Sequence, residues 1–127
     1  MRAIEFRGKI VGAEGFVYGK LLAPLASGNA YIAYDVNEVR SFVYISRSEK
    51  VDPETVGQYT GLKDKYGKKI FEGDICWEEH NECYGVVKFE EGKFLYLWEN
   101  IAEDLWEVAD DIEICGNIHE NLDLLEA

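Results

Sequence analysis

Five residues carry the side chains that bind transition metals. Cys76, His80 and Cys83 are spaced C-x3-H-x2-C, and Cys115 and His119 are spaced C-x3-H. Thiolate and imidazole are the donors of tetrahedral zinc, and four of the five would complete one site if they converged. The spacing is a weak signal for it. The paired C-x2-C knuckles of structural zinc sites are missing, and Cys76 and Cys115 sit inside apolar strand patterns, where a thiol packs as a small hydrophobe. No metal ligand and no cofactor is assigned on these grounds.

Nucleophilic catalysis requires a nucleophile beside a base. His80 and His119 are the only imidazoles, and the G-x-S-x-G, P-loop and G-x-G-x-x-G patterns are absent. Carboxylates are plentiful at Glu78, Glu79, Glu82, Glu103, Asp104, Glu107, Asp110 and Asp111, but all stand in polar stretches. A general acid needs a desolvated carboxyl group, and nothing selects a pair among these. An EF-hand needs alternating oxygen ligands around a central glycine, an order that 104–113 lacks. The expectation is a protein without catalytic residues.

Charge narrows the partners. Residues 1–64 hold eight Lys/Arg against eight Asp/Glu, whereas 65–127 hold five against seventeen, so the second half carries the whole net charge of −12. Such a surface repels phosphate backbones, which disfavours direct nucleic-acid binding and favours a basic partner. The local exception is Lys63, Lys65, Lys68 and Lys69 with Tyr59 and Tyr66, a lysine-tyrosine turn resembling a small nucleic-acid patch; its acidic neighbours favour an ordinary solvated turn. No run reaches the roughly 20 apolar residues of a membrane span. The start, Met1 to Arg7, has charges where a signal peptide would be apolar, so a cytoplasmic location is expected.

The elements that must position these residues read as strands. Ile4, Phe6 and Ile10 alternate with Glu5, Arg7 and Lys9, the period of a half-buried strand. A Gly12–Gly15 turn leads to a second strand, Phe16–Leu22, which Pro24 ends. Ala30–Tyr34 and Ser41–Ser46 are short strands, and the polar stretch 46–54 with Pro53 reads as a connector. Val56–Gly61 is strand-like. Asp64-Lys65-Tyr66-Gly67-Lys68 is a tight turn, because Asp bonds the backbone two residues on and Gly takes positive φ. Ile75–Trp77, Gly85–Phe89 and Lys93–Leu97 are strands, the last two a hairpin about Glu90-Glu91-Gly92. Leu97, Ile101, Leu105, Val108 and Ile112 are spaced for one helical face, so the spacing predicts a short helix near 99–109, with an acidic loop as its rival. Ile112–Ile118 is a final strand, and Asn121 is placed to cap a last turn.

One stretch goes beyond patterning. Residues 51–75, VDPETVGQYTGLKDKYGKKIFEGDI, resemble the signature of the YopX family, small proteins encoded mainly by bacteriophages and prophages. Ile4 to Lys9 with Gly15 to Gly19 resembles the family's opening, Gly85 to Phe89 with Gly92 to Phe94 its central hairpin, and Cys115 to Asn121 its ending. Departures are Leu122 in place of a proline, Cys115 in place of Ile or Val, and Phe16 in place of Trp. The resemblance implies a mainly β fold with a small β-barrel-like C-terminal part, which Glu72-Gly73-Asp74 entering a strand and the glycine-tipped hairpin liken to an SH3-like barrel; with the patterning above, it leads to an N-terminal β-hairpin region and one or two short helices. It implies no known reaction.

One domain is expected over 1–127, with lobes 1–50 and 51–127 as its subdivision. The functional expectation is a phage or prophage accessory protein that binds a host or phage protein through an acidic C-terminal surface. A nucleic-acid mimic, a nucleic-acid-associated protein and a small enzyme are the alternatives, and homo-oligomerisation is open. The candidate interaction surface is Gln58, Thr60, Lys63, Asp64 and Lys65, with Glu103, Asp104, Glu107, Asp110 and Asp111.

Overall fold

The structure, a computed structural model, describes residues 4–23 and 25–126. The expectations for Met1–Ala3 and for Pro24 lie outside the described residues. The chain forms two compact units, Met1–Gln58 and Tyr59–Ala127. The division falls inside a strand, seven residues beyond Val51, where the preceding strand ends.

In the first unit, β1 (Phe6–Lys9) pairs antiparallel with β2 (Phe16–Leu22), the hairpin expected, but the alternation misassigns its faces: Arg7 is buried and Ile4 is exposed. β3 (Ala30–Val39) and β4 (Phe42–Val51) form a hairpin with ten residues in each strand. Both are longer than their apolar stretches suggest, and much of the polar stretch 46–54 is strand. Its residues are polar because that part of the hairpin is largely exposed, so patterning by burial has nothing to act on. β5 (Gly57–Lys63) begins in this unit, where Gly57 and Gln58 pair with β1. The order is therefore β4-β3-β2-β1-β5. Ala30, Ile32 and Val51 are the buried core, and Phe6, Val17, Leu21 and Val56 pack on it. A 3-10 turn at Pro53–Thr55 follows β4; the Asp52 carboxylate accepts from the Glu54 N–H, and the Thr55 hydroxyl accepts from the Lys9 N–H at 2.8 Å. Pro53 suits that position because its missing N–H would have had no partner in the first turn.

In the second unit, the rest of β5 pairs with β6 (Lys69–Phe71). β7 (Asp74–Glu78), β8 (Cys83–Glu90), β9 (Lys93–Trp98), β10 (Ile101–Asp104) and β11 (Ile112–Asn117) form a sheet ordered β10-β9-β8-β7-β11. This mainly β architecture is the one expected, but the sheet stays open, with β10 and β11 as its two edges, and does not close into a barrel. The helix near 99–109 shrinks to one turn, α1 (Leu105–Val108), followed by a 3-10 turn at Ala109–Asp111. Residues 101–104 return along β9 instead, with Ile101 opposite Trp98. The near-helical spacing arose from the end of β9, then β10, one helical turn and the start of β11 following one another along the chain. Only Leu105 and Val108 share the helix; both are buried with Ile112.

Strand alternation places Cys76, Val87 and Tyr96 on the core face of this sheet, with Ile70, Leu105 and Ile112. Tyr96 is fully buried, and its hydroxyl donates to the Cys76 carbonyl at 3.1 Å. Gly85, opposite Cys76, is what admits the Tyr96 ring: a Cβ there would overlap the ring carbons and the hydroxyl. Gly85→Ala is therefore expected to destabilise the protein by about 2–3 kcal/mol through overpacking, and Tyr96→Phe by only about 1 kcal/mol through the lost hydrogen bond. Urea unfolding of both variants checks the ranking; an Ala variant as stable as the parent would contradict the packing described.

Candidate functional site

Among the described residues, two concavities of the second unit bring together residues of interest. The larger, about 570 Å³, is lined by Trp77, Glu82, Cys83, Tyr84, Val86, Leu97, Trp98, Glu99, Leu124 and Leu125. Four of its residues lie on the sheet face opposite Tyr96, whereas Trp98, two residues after Tyr96 on β9, lies on the Tyr96 face, packs on the core and meets the groove from that side. Trp77 faces Tyr84 and Val86 faces Leu97 across the ladder, so period-2 alternation sends all four to this side. A 3-10 turn at Leu122–Glu126 brings Leu124 and Leu125 to its wall.

The aromatic walls are fixed in orientation. Trp77 meets Tyr84 edge to face with centroids 4.9 Å apart, and the Trp98 indole N–H donates to Glu103 at 2.8 Å. Glu82 and Glu99 stand at turns with φ of 50° and 52°. The left-handed region costs a side chain with a Cβ about 1 kcal/mol or more, so glycine would be the relaxed choice at either position. Two carboxylates, Glu82 and Glu99, line the groove. Burial pushes the Cys83 thiol pKa up, and the charges of Glu78, Glu99 and Glu103 push it further. The thiol is kept protonated, the opposite of an activated nucleophile, while the same carboxylates favour any cation that enters.

The smaller concavity, about 410 Å³, is lined by Lys65, Glu78, Glu79, His80, Asp110 and Asp111. Asn81 donates to Glu78 at 2.6 Å, and Lys65 lies 4.0 Å from Glu79.

The sequence-derived surface residues separate into distinct roles. Gln58 is half-buried in β5 and pairs with Phe6. Thr60 and Asp64, expected on the exposed surface, are buried. The Thr60 hydroxyl donates to the Ile70 carbonyl at 2.8 Å and accepts from the Leu62 N–H at 3.2 Å. Asp64 Oδ1 accepts from the N–H groups of Tyr66 and Lys68, both at 2.9 Å, and Oδ2 accepts from Ile114 N–H at 3.0 Å. The expected turn is there, with Gly67 at φ 81°, but its carboxylate also ties the turn to β11. Lys63 is exposed. Lys65 and Lys69 each lie 5.3 Å from a tyrosine ring, Tyr66 and Tyr59 respectively. Glu103 holds Trp98, and Asp104 pairs with Lys93 at 2.8 Å. Glu107, Asp110 and Asp111 are exposed, the last two on the smaller cleft.

The metal-type residues scatter. Cys76 is buried in the core, Cys83 lines the groove, and Cys115 and His80 are exposed. Among the described residues no three His, Cys, Asp or Glu side chains gather as a metal site. Asn121 does not cap forward: its side-chain oxygen accepts from the Asn117 N–H at 3.1 Å, and its carbonyl receives Leu124 N–H. Among the described residues no helix is long and apolar enough to cross a membrane.

Two antiparallel β units, the second carrying a groove lined by aromatic side chains and carboxylates, define a small, mainly β protein. The chain matches the model of the YopX protein family over residues 5–126 and belongs to that family. It is also similar to the crystal structure of protein EF1440 from Enterococcus faecalis, with a TM-score of 0.70 and 21% identity over 98% of this chain and 99% of that one. At that identity the likeness shows a shared fold. No curated protein matches the chain.

Asp64 sets a testable pH dependence. Partial burial raises its pKa, but the hydrogen bonds from Ile114, Lys68 and Tyr66 and the Lys68 charge outweigh this and hold it below the usual 3.8. The unfolded chain therefore binds the proton first. The stability this carboxylate contributes is complete above 3.8 and is lost as pH falls through the lower folded value. Asp64→Ala is expected to cost about 2–4 kcal/mol near neutral pH, given three bonds to a charged acceptor. The gap to the parent should narrow steadily in acid. Urea midpoints taken from neutral pH down into acid check this; a gap independent of pH would remove the carboxylate from the account.

Proposed function

We propose that this protein is a non-catalytic accessory protein of phage or prophage origin that binds a basic host or phage protein, and that the groove of the second unit receives a Lys or Arg side chain of that partner. The observation that carries this reading is the combination of Trp77, Tyr84 and Trp98 with Glu82 and Glu99 around one concavity. An aromatic face attracts a cation, more strongly as water is excluded, and the aliphatic stem of Arg or Lys packs on apolar walls such as Val86 and Leu97. The raised thiol pKa of Cys83 is consistent with a local negative potential.

Charge distribution supports the same reading. The unit Met1–Gln58 holds seven Lys/Arg and seven Asp/Glu and is neutral; Tyr59–Ala127 holds six against eighteen and carries the −12. Such a field accelerates the encounter with a basic partner more than it deepens the final affinity. Glu82 and Glu99, both at turns with positive φ, put two carboxylates on the groove lining.

The test uses intrinsic fluorescence. The chain has three tryptophans, and Trp106 is exposed away from the groove lining, so a Trp106→Phe background leaves Trp77 and Trp98 as reporters. An arginine-rich peptide should shift their emission saturably, with affinity falling as salt shortens the Debye length below about 10 Å. Replacing Glu82 and Glu99 together by glycine should weaken binding about tenfold or more, a loss of roughly 1.4 kcal/mol, while leaving stability equal or higher because the positive φ is relieved. Unchanged affinity in that variant would move the basic ligand away from this groove.

A further inference from the structure

We infer that the β3–β4 hairpin is a self-association arm, and that its occupant is the same arm of a second copy of this chain. The inference rests on the first unit and is independent of the groove. From Val36 to Ile45 the hairpin leaves large apolar side chains open: Phe42 is 64% exposed, Val43 63% and Tyr44 54%. The run Phe42-Val43-Tyr44-Ile45 has the composition of a strand covered on both faces. The register puts Val39 beside Phe42 on one face, and Val36 beside Ile45 on the other, so both faces are apolar. Phe42 and Tyr44 stack along the first face with centroids 6.4 Å apart.

β4 is also an edge. It lies last in its sheet, with β3 as its strand neighbour along Phe42–Glu49. Natural edge strands are blunted by charge, proline, bulges or shortness. Here the outermost four residues from Phe42 to Ile45 contain neither charge nor proline, and the register irregularities lie lower, around Asp35.

The area and the charge point to a second copy. The open portions of Val36, Val39, Phe42, Val43, Tyr44 and Ile45 amount to on the order of 500 Å² of apolar surface. One side of a standard interface is about 800 Å², of which roughly 60% is non-polar, so one arm supplies what one side of a stable dimer needs when the partner arm wraps both of its faces. The arm carries Asp35 and Glu38 against Arg40 and Arg47 and is neutral. Identical neutral arms meet without the repulsion that a chain of −12 would otherwise impose on its copies. A two-fold contact uses the same patch twice and closes, which leaves no edge for further addition.

Sedimentation of the full chain from about 1 to 100 μM tests this, because an assembly that binds only folded chain is governed by mass action. The parent is expected to sediment as a dimer or closed multimer at the upper end. Val43→Lys and Phe42→Glu, both at open positions, are expected to be monomeric with an unchanged far-ultraviolet dichroism spectrum. A parent that stays monomeric throughout, or an assembly that survives both substitutions, overturns the inference. Should either variant fold poorly, hydrogen exchange on the parent decides: the amides of 42–49 must slow as concentration rises, and concentration-independent exchange in that strand overturns the inference as well.

Discussion

The carboxylate of Asp64 is the constraint on which the second unit depends. One oxygen closes the turn between β5 and β6, and the other reaches the Ile114 N–H in β11, fifty residues along the chain. The backbone repeats the tie, with Lys65 N–H donating to the Ile112 carbonyl at 3.0 Å. An anionic acceptor with three backbone donors is among the stronger polar contacts a buried site can make. It sets where β11 runs, and β11 in turn pairs with β7, whose Trp77 forms a wall of the groove. The segment 51–75, which reads as a string of turns, thus contains the fastener between the small hairpin and the larger sheet.

Local chemistry was readable where residues close in sequence are close in space. The β1–β2 pair, the Asp64–Gly67 turn and the β8–β9 hairpin all follow from alternation and glycine placement. Three features were not readable, each for its own reason. The bond from Asp64 to Ile114 is long-range, and nothing in a turn sequence names a distant donor. β10 was hidden because Leu97, Ile101 and Leu105 fall at helical spacing by coincidence of strand and turn lengths. The full lengths of β3 and β4 were hidden because exposed strands lack the apolar-polar rhythm that burial imposes.

The groove belongs with these. Trp77, Tyr84 and Trp98 come from three strands, and no motif links them. A signal did exist: Trp77 and Tyr84 become neighbours once the Glu78–Cys83 turn is taken as a hairpin, and Val86 and Leu97 follow from the next one. The apolar residues of these strands divide between a core face and an open face. Abundance of acid, by contrast, was plain in the sequence, but its placement was not. Glu103 and Asp104 engage Trp98 and Lys93, whereas Glu82 and Glu99 stand at strained turns on the groove.

Tyr96 adds a consequence of its own. Burial, with nearby Cys76 and Cys83 and the acidic groups Glu78 and Glu103, drives its phenol pKa well above the usual 10.0. The unfolded chain releases this proton first, so the stability it represents is intact below 10.0 and drains away as pH climbs toward the folded value. In strong base, ionising this ring and opening the sheet become one event. A phenol sealed against Gly85 thus acts as an alkaline fuse for the core, blown only when the strands that enclose it part.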